Sequence, residues 1–392
     1  MGSRFRDALL AAHLLPMRVL FFNEGNLGSH TLGQAVVERS LRAGVAATAD
    51  VDGRFVGLTE MGRLARAAAY RRVPPLSRVG LDLPTLRWHL MQSARARRVL
   101  SRELKAWPAD LLYLHTQSVG LLARGLMRRL PVALSADTAI REWWTMPAWR
   151  PTHKHAAALI APSAMLERRA LESAAVVFAF TSWAQAGLER CAPQANVVEH
   201  HPGIDLARFR PAPRRERERP RVLFVGGRFA EKGGHDLLAA LQDDIGSTLD
   251  LDVVTPAPIA ERPGLRVHRL GHSDPELLDL QQQADVFCLP TYGDAAPWAV
   301  LEAMACGTPV VSTRIGGIPN MLDGGRAGVL VGHGDCAGLA DAVRTLLADP
   351  ARRAELGALA HRRCEQRYDQ RRQFPRLIEH LRAAIVDWQA AQ

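Results

Sequence analysis

The chain has 392 residues, 47% of them hydrophobic and 23% charged, so it is too long for one hydrophobic core and long enough for two globular domains. No apolar run approaches the roughly 20 residues that span a bilayer, and residues 1–16 lack the small-residue cleavage site of a signal peptide. The net charge of +10 suits an anionic partner, but no zinc finger, helix-turn-helix or basic–aromatic repeat indicates nucleic acid.

The first half of the chain predicts a doubly wound α/β domain. Residues 1–16 are expected to be a flexible extension, followed by a buried strand, a glycine-containing loop at 23–30 and a helix. Strand, glycine loop and helix form the first unit of a Rossmann-like domain, to which we assign residues 17–203. Strands are predicted in this domain at 18–22, 111–114, 132–134, 157–161 and 176–179.

The same arrangement repeats in the second half. A strand at 221–225 leads into a loop bounded by glycine pairs, and a helix follows from about His235. We assign residues 204–220 to a charged linker, 221–370 to a second Rossmann-like domain and 371–392 to a helix that crosses back to the first domain. Further strands are predicted at 250–254, 266–270, 286–289, 310–312 and 329–331. Because such sheets bind ligands beyond the carboxyl ends of their strands, the active site is expected in the cleft between the domains.

The most informative segment carries two acidic residues. A predicted strand ends at Pro290, Asp294 lies in the polar loop that follows, and a helix is expected to start near Pro297. Glu302 lies one to two turns into that helix, so both carboxylates can face the cleft. Carboxylates bind sugar hydroxyls well, and the exposed N–H groups of a helix start suit an anion.

This segment resembles the retaining glycosyltransferases of family 4, which have the GT-B fold of two Rossmann-like domains facing across a cleft. In that family an acid, seven residues and a glutamate precede Ala-Met-Ala-x-Gly-x-Pro-Val-Val, the pattern at 303–311. The resemblance implies that Glu302 binds the donor ribose, that Asp294 contacts the transferred sugar, and that the backbone at Ala296 and Pro297 lines the sugar pocket. Both acids also have a purely structural alternative. Glu302 could compensate the helix dipole, and Asp294 could be a turn residue.

The glycine-bounded loop contributes two cations, Arg228 and Lys232. Presented before a helix, they can clamp a diphosphate and stabilise the charge that grows on it as the leaving group departs. The loop resembles the Gly-Arg…Glu-Lys-Gly loop of the family, with one residue fewer between Arg and Lys. The alternative is a pair of solvated surface cations.

Three residues of the first domain are further candidates. By the resemblance, Gly28 lies near the donor phosphates, and Asp137 occupies the position at which many relatives have a histidine that touches the donor sugar. His115 ends a predicted strand and could meet the acceptor. The alternatives are a tight turn for Gly28, a helix cap for Asp137 and a structural role for His115. Three tryptophans after Asp137 could stack on an acceptor sugar or pack within a loop, namely Trp143, Trp144 and Trp149.

Two basic groups in the first domain have two explanations. They are Arg95, Arg98, Arg102 and Lys105, at helical spacing, and Arg63, Arg66, Arg71 and Arg72. The simpler explanation is a solvated basic face. The other is peripheral docking on acidic membrane lipids, to reach a lipid-linked acceptor.

We therefore expect a cytoplasmic enzyme, with peripheral contact at the inner membrane face as a further hypothesis. It is expected to move a sugar, with retention, from a nucleotide sugar to a hydroxyl acceptor, which is a glycan, a lipid-linked sugar or a small molecule. No cofactor or metal is expected, since the five cysteines are scattered and the cations of the protein neutralise the phosphates. The alternatives are a non-catalytic sugar-nucleotide-binding subunit and another GT-B enzyme, such as an epimerase or a phosphorylase. A dehydrogenase is disfavoured because neither glycine loop is Gly-x-Gly-x-x-Gly with the expected acid.

Overall fold

The computed structural model describes residues 16–25, 32–71, 73, 83–149 and 156–392. These residues form two parallel six-stranded sheets flanked by helices, so the predicted α/β fold class is confirmed. None of the helices in these ranges combines the length and the apolar composition that a membrane crossing requires.

The first sheet has the strand order β2-β1-β3-β4-β5-β6. Its strands are Met17–Asn23 (β1), Val51–Gly57 (β2), Leu111–His115 (β3), Val132–Ala136 (β4), Val176–Ala179 (β5) and Val197–Glu199 (β6). Its helices are Leu32–Ala46, Arg63–Tyr70, Pro84–Ala106, Arg124–Met127, Ile140–Trp143, Ala156–Leu171 and Ser182–Cys191, with a 3₁₀ turn at Gln117–Val119. The central strands are buried on both faces because helices cover the sheet from both sides, which explains their unbroken apolar runs.

The second sheet has the order β12-β11-β10-β7-β8-β9. Its strands are Arg221–Val225 (β7), Asp250–Val254 (β8), Leu265–His268 (β9), Val286–Leu289 (β10), Val310–Thr313 (β11) and Val329–Val331 (β12). The helices of this half are Gly234–Ala240, Pro275–Gln283, Trp298–Ala305, Ile318–Met321, Cys336–Ala348, Pro350–Arg367 and Gln370–Ala390, with a 3₁₀ turn at Asp323–Gly325. The loops that follow β7 and β10 lie at the same edge because these strands are parallel neighbours.

One predicted strand is wrong, and two strands were not predicted. Residues 157–161 belong to the helix Ala156–Leu171, since their alanine-rich run favours a helix and a short apolar run alone cannot separate the two structures. The unpredicted β2 is an edge strand that begins Val-Asp-Gly-Arg, residues that are mostly uncommon in strands. The unpredicted β6 has only three residues.

The chain passes between the two halves twice, at neighbouring points. Ile204 donates its N–H to the carbonyl of Tyr368 at 2.7 Å, and Gln370 donates to the carbonyl of Ile204 at 3.0 Å. After this crossing the helix Gln370–Ala390 packs on the first sheet. It adds an apolar face to that core, made of Phe374, Leu377, Ile378, Leu381 and Ala384.

Candidate active site

An ion pair joins two loops at the carboxyl edge of the second sheet. Lys232, in the loop after β7, donates from Nζ to the carboxylate of Asp294, in the loop after β10. The two side chains are only 22% and 13% exposed. The main chain adds a second link, because Tyr292 donates its N–H to the carbonyl of Glu231 at 2.9 Å. The predicted clamp and the predicted sugar-binding acid therefore lie in direct contact.

Two glycines allow these loops to approach their neighbours. Gly316 has a φ of +55°, and a Cβ at this position would lie 1.9 Å from the carbonyl oxygen of Asp294. Gly233 has a φ of +75°, and a Cβ there would lie 2.0 Å from the carbonyl oxygen of Pro290. Any other residue would add left-handed backbone strain and would clash with the neighbouring carbonyl oxygen. Glycine at these two positions therefore allows the loops to pack closely against one another.

Asp137 follows β4 of the first domain and faces this pair across the cleft. Burial, together with the negative charge of Asp294, raises the pKa of Asp137 to about 6. Hydrogen bonds from its own backbone N–H, from that of Thr138 and from the Trp143 side chain oppose this rise. Asp137 of the first domain thus lies close enough to Asp294 of the second for the two charges to interact.

His115 has the surroundings of a structural histidine. It is buried at the end of β3, where its Nδ1 lies 2.8 Å from the Ser135 hydroxyl and its ring stacks on Phe180 at 6.0 Å between centroids. Burial lowers its pKa to about 4, so the ring is neutral at physiological pH. These partners all belong to its own domain.

Glu302 lies deeper, on the helix Trp298–Ala305, with 2% of the residue exposed. Its Oε1 is 3.1 Å from Nδ1 of His272, and Gln281 donates from Nε2 to Oε2 at 3.4 Å. Burial raises the pKa of Glu302 to about 8, against the opposing charges of Arg208 and Arg39. Although Oε1 lies this close to His272, it makes no hydrogen bond of good geometry within the described part of the chain. A ligand hydroxyl could therefore donate to it.

The remaining sugar-pocket residues lie between the two acids. Pro297 is the residue before the first helical residue, Trp298, and Ala296 is half-buried beside it. The first N–H groups of a helix have no partner within it, so the backbone here can donate to a ligand. Gly28 lies outside the described residues.

The sequence left two roles open for Trp149, stacking on an acceptor sugar or packing within a loop; in the structure it contacts Arg228 of the predicted clamp. Its ring stacks on the Arg228 guanidinium at 4.6 Å and on the edge of Trp143 at 5.8 Å. In the sequence, only the clustering of the tryptophans pointed to a special role for this segment. The contact between Trp149 and Arg228 depends on how the two domains face each other, which the sequence does not show. Arg39 was missed for the same reason: it belongs to the first domain and its charge acts on Glu302 of the second.

One member of the predicted basic face lies elsewhere. Arg95 turns inward and donates to Gln92 at 2.7 Å and to the carbonyl of Thr59 at 2.6 Å. Arg97 takes its place beside an open cavity of about 640 Å³, together with Arg98, Arg102 and Lys105. Within the described ranges, no group of three or more histidine, cysteine or acidic side chains is placed to hold a metal ion.

Two parallel-sheet domains facing across a cleft, with cations and carboxylates at the carboxyl ends of the strands, define the GT-B class of glycosyltransferase fold. Residues 219–349, about a third of the chain, match the model of the family described as Glycosyl transferases group 1. The predicted resemblance to glycosyltransferases is therefore confirmed for this part of the chain.

Curated relatives match about half of the chain. A glycogen synthase of Mycobacterium tuberculosis (strain CDC 1551 / Oshkosh) is 37% identical over 180 residues, which cover 43% of this chain and 44% of the relative. An alpha-maltose-1-phosphate synthase of Mycolicibacterium smegmatis is 31% identical over 244 residues, covering 53% of this chain and 62% of the relative. The matches thus span less than two thirds of the length of these relatives.

Solved structures match over nearly the whole chain. The sucrose-phosphate synthase of Thermosynechococcus elongatus has a TM-score of 0.73 at 19% identity, covering 94% of this chain and 100% of the other. The Anabaena protein HepE in complex with UDP-glucose has a TM-score of 0.66 at 14% identity, with the same coverage. At these identities the likeness establishes the fold, and the predicted GT-B architecture is confirmed.

Proposed function

We propose that this chain is a retaining glycosyltransferase that moves a sugar from a nucleoside-diphosphate sugar to a hydroxyl group of an acceptor. One observation carries the proposal: the Lys232–Asp294 ion pair at the carboxyl edge of the second sheet faces Asp137 of the first domain. The lysine suits a phosphate, and the two acids suit sugar hydroxyls. Together they suit a nucleotide sugar better than a nucleotide or a sugar alone.

In this proposal the donor lies across the second domain. Arg228 and Lys232 hold the diphosphate. The buried Oε1 of Glu302, which makes no hydrogen bond of good geometry in the described structure, accepts from a ribose hydroxyl. The base then lies near His272, whose Nδ1 is 3.1 Å from Glu302. The solved complex of HepE with UDP-glucose, which shares the fold, supports a donor of this class.

The chemistry follows from the charges at this point. The bond between the anomeric carbon and the diphosphate oxygen breaks, and its electron pair leaves on that oxygen. The acceptor oxygen bonds to the same carbon from the same face, and its proton passes to the departing phosphate oxygen. Arg228 and Lys232 stabilise the growing charge. Asp294, freed from Lys232 by the phosphate, and Asp137 accept hydrogen bonds from the sugar. No metal is needed in this scheme, because the two cations replace it.

We also propose that the first domain docks on acidic lipid headgroups. The cavity lined by Arg97, Arg98, Arg102 and Lys105 presents four exposed cations. On the adjoining helix Arg63–Tyr70, Leu64 is 88% and Tyr70 55% exposed beside Arg63 and Arg66. Cations next to exposed apolar side chains are typical of interfacial helices. Co-sedimentation with anionic but not neutral vesicles is expected, and equal binding to both would contradict it.

The proposed activity is tested with purified protein and a panel of UDP-, GDP-, ADP- and dTDP-sugars. A donor that binds should raise the melting temperature by mass action and release its nucleotide when an acceptor is present. NMR of the product then reports the anomeric configuration, and retention is expected. Stabilisation without nucleotide release, with or without any acceptor tried, would instead favour the non-catalytic subunit. Conversion of the donor sugar without an acceptor would favour an epimerase, and a requirement for inorganic phosphate a phosphorylase.

A further inference from the structure

A segment of the first domain crosses the cleft and reaches the second. Its base is fixed at Ile140, whose N–H donates to the two carboxylate oxygens of Glu167 at 2.9 and 3.1 Å. Glu167 is completely buried and also accepts from Gln117, which in turn donates to the carbonyl of Thr138 at 2.8 Å. Buried hydrogen bonds thus hold the base of the segment in the first domain.

The far end of the segment lies against the loops of the second domain. Ala148 donates its N–H to the carbonyl of Tyr292 at 3.0 Å. Trp149 covers Gly293 so closely that a Cβ on this glycine would lie 2.5 Å from the indole nitrogen. The same indole stacks on the Arg228 guanidinium at 4.6 Å. Trp149 thus contacts both loops that carry the predicted donor site.

The indole nitrogen of Trp149 is buried and has no acceptor among the described residues. A buried N–H without a partner is uncommon and costs free energy, so such a group commonly marks the place of a ligand or of water. The nitrogen lies over Gly293, next to Asp294, while its ring holds Arg228. The unpaired N–H and the contact with the Arg228 guanidinium therefore belong to one indole group.

We propose that Trp149 of the first domain completes the donor site of the second: its ring holds the Arg228 guanidinium in place, and its indole N–H donates to a diphosphate oxygen. This inference rests on the proposed function. It makes Trp149 a donor-binding and positioning residue that acts in part through Arg228. Because Trp149 and Arg228 belong to different domains, the two residues can bind the diphosphate together only when the cleft is closed.

The test compares Trp149→Phe and Trp149→Ala with the wild-type protein by titration calorimetry. The probes are UDP and UMP, with the GDP, ADP and dTDP series in parallel. Trp149→Phe keeps a ring but loses the N–H, so a roughly three- to ten-fold weaker affinity for the diphosphate is expected. Trp149→Ala also loses the stacking and should weaken it by roughly ten- to thirty-fold. Affinity for the monophosphate should change far less in both variants.

Two controls separate this role from a structural one. Trp144→Phe replaces an indole of the same segment that stacks on neither Arg228 nor Trp149 in the described structure, and it should bind UDP like the wild type. In a double-mutant cycle, Trp149→Ala with Arg228→Ala should weaken UDP binding by less than the product of the single effects.

Wild-type affinity in both Trp149 variants would overturn the inference. Equal losses for UDP and UMP, or fully multiplicative effects in the cycle, would do the same. If Trp149→Ala fails to fold, the UDP and UMP affinities of Trp149→Phe alone are compared with those of the wild type to test the inference. If the wild type binds no nucleoside diphosphate of the series, the proposed function itself fails, and that outcome is seen before any variant is compared.

Discussion

Lys232 and Asp294, which are 62 positions apart in the sequence, form an ion pair between the loops after β7 and β10. Each charge is largely buried and compensates the other. In the proposed mechanism, a diphosphate that binds Lys232 releases Asp294 toward the sugar. Binding of the donor would then also free the acid that contacts its sugar.

Asp294→Asn is expected to reduce turnover by roughly a hundred-fold or more, because the sugar loses a charged acceptor in the transition state. Its affinity for a nucleoside diphosphate should be kept or increased, since Lys232 loses its competing partner. Steady-state kinetics and calorimetry with UDP measure the two effects separately. A parallel loss of turnover and of UDP affinity would contradict the competition between Asp294 and phosphate.

Asp137→Asn is expected to stabilise the protein while lowering its activity. The pKa of Asp137 is raised to about 6 from 3.8, so the folded state binds the proton more tightly than the unfolded chain does. Stability is therefore lost as pH rises from about 4 through 6, by an amount of order 1 kcal/mol for a partly exposed group. The variant should melt about 2–4 °C higher at pH 7.5 and equally at pH 4. Wild-type turnover should fall below about pH 6, where Asp137 gains a proton.

Glu302→Gln is expected to fold normally and to bind the donor less well. Because burial raises the pKa of Glu302 to about 8, its carboxyl is mostly protonated at pH 7, and an amide replaces it with little cost. Stability of the wild type should fall as pH rises from about 4.5 through 8, while that of the variant should not. Melting curves at about pH 5 and about pH 8.5 check this. Affinity for UDP should fall roughly ten-fold at about pH 9, where the charged wild-type carboxylate binds a ribose hydroxyl more strongly than an amide does.

Gly316→Ala is expected to damage the site through the backbone of Asp294. A Cβ at this position would lie 1.9 Å from the Asp294 carbonyl oxygen, so the loop must move. Gly324→Ala is the matched control, since Gly324 also has a positive φ, of +69°, but has nothing within 4 Å of the added atom. The control should lose about 1 kcal/mol, the ordinary cost of a left-handed non-glycine residue. Gly316→Ala should lose more stability and most of its turnover; equal effects in both variants would exclude the contact as the cause.

The sequence predicted the strands that are buried on both faces, because their apolar runs are unbroken. It failed at β2, whose edge position tolerates Asp52 and Gly53, and at the alanine-rich start of the helix Ala156–Leu171. Lys232 lies close to Asp294 because β7 and β10 are neighbouring strands. The sequence placed each residue in the loop that follows one of these strands. The contact of Trp149 with Arg228 could not be predicted, since no local pattern encodes how two domains face each other.

The helix Gln370–Ala390 has a consequence for biosynthesis. It supplies Phe374, Leu377 and Leu381 to the apolar core beside Phe21 and Tyr113, although the linker and the second domain, residues 204–370, lie between it and the first domain in the sequence. During translation the first domain leaves the ribosome early but lacks one face of its core until this helix follows. The first domain is thus synthesised first but its core is completed last, so the two halves of the protein finish folding together.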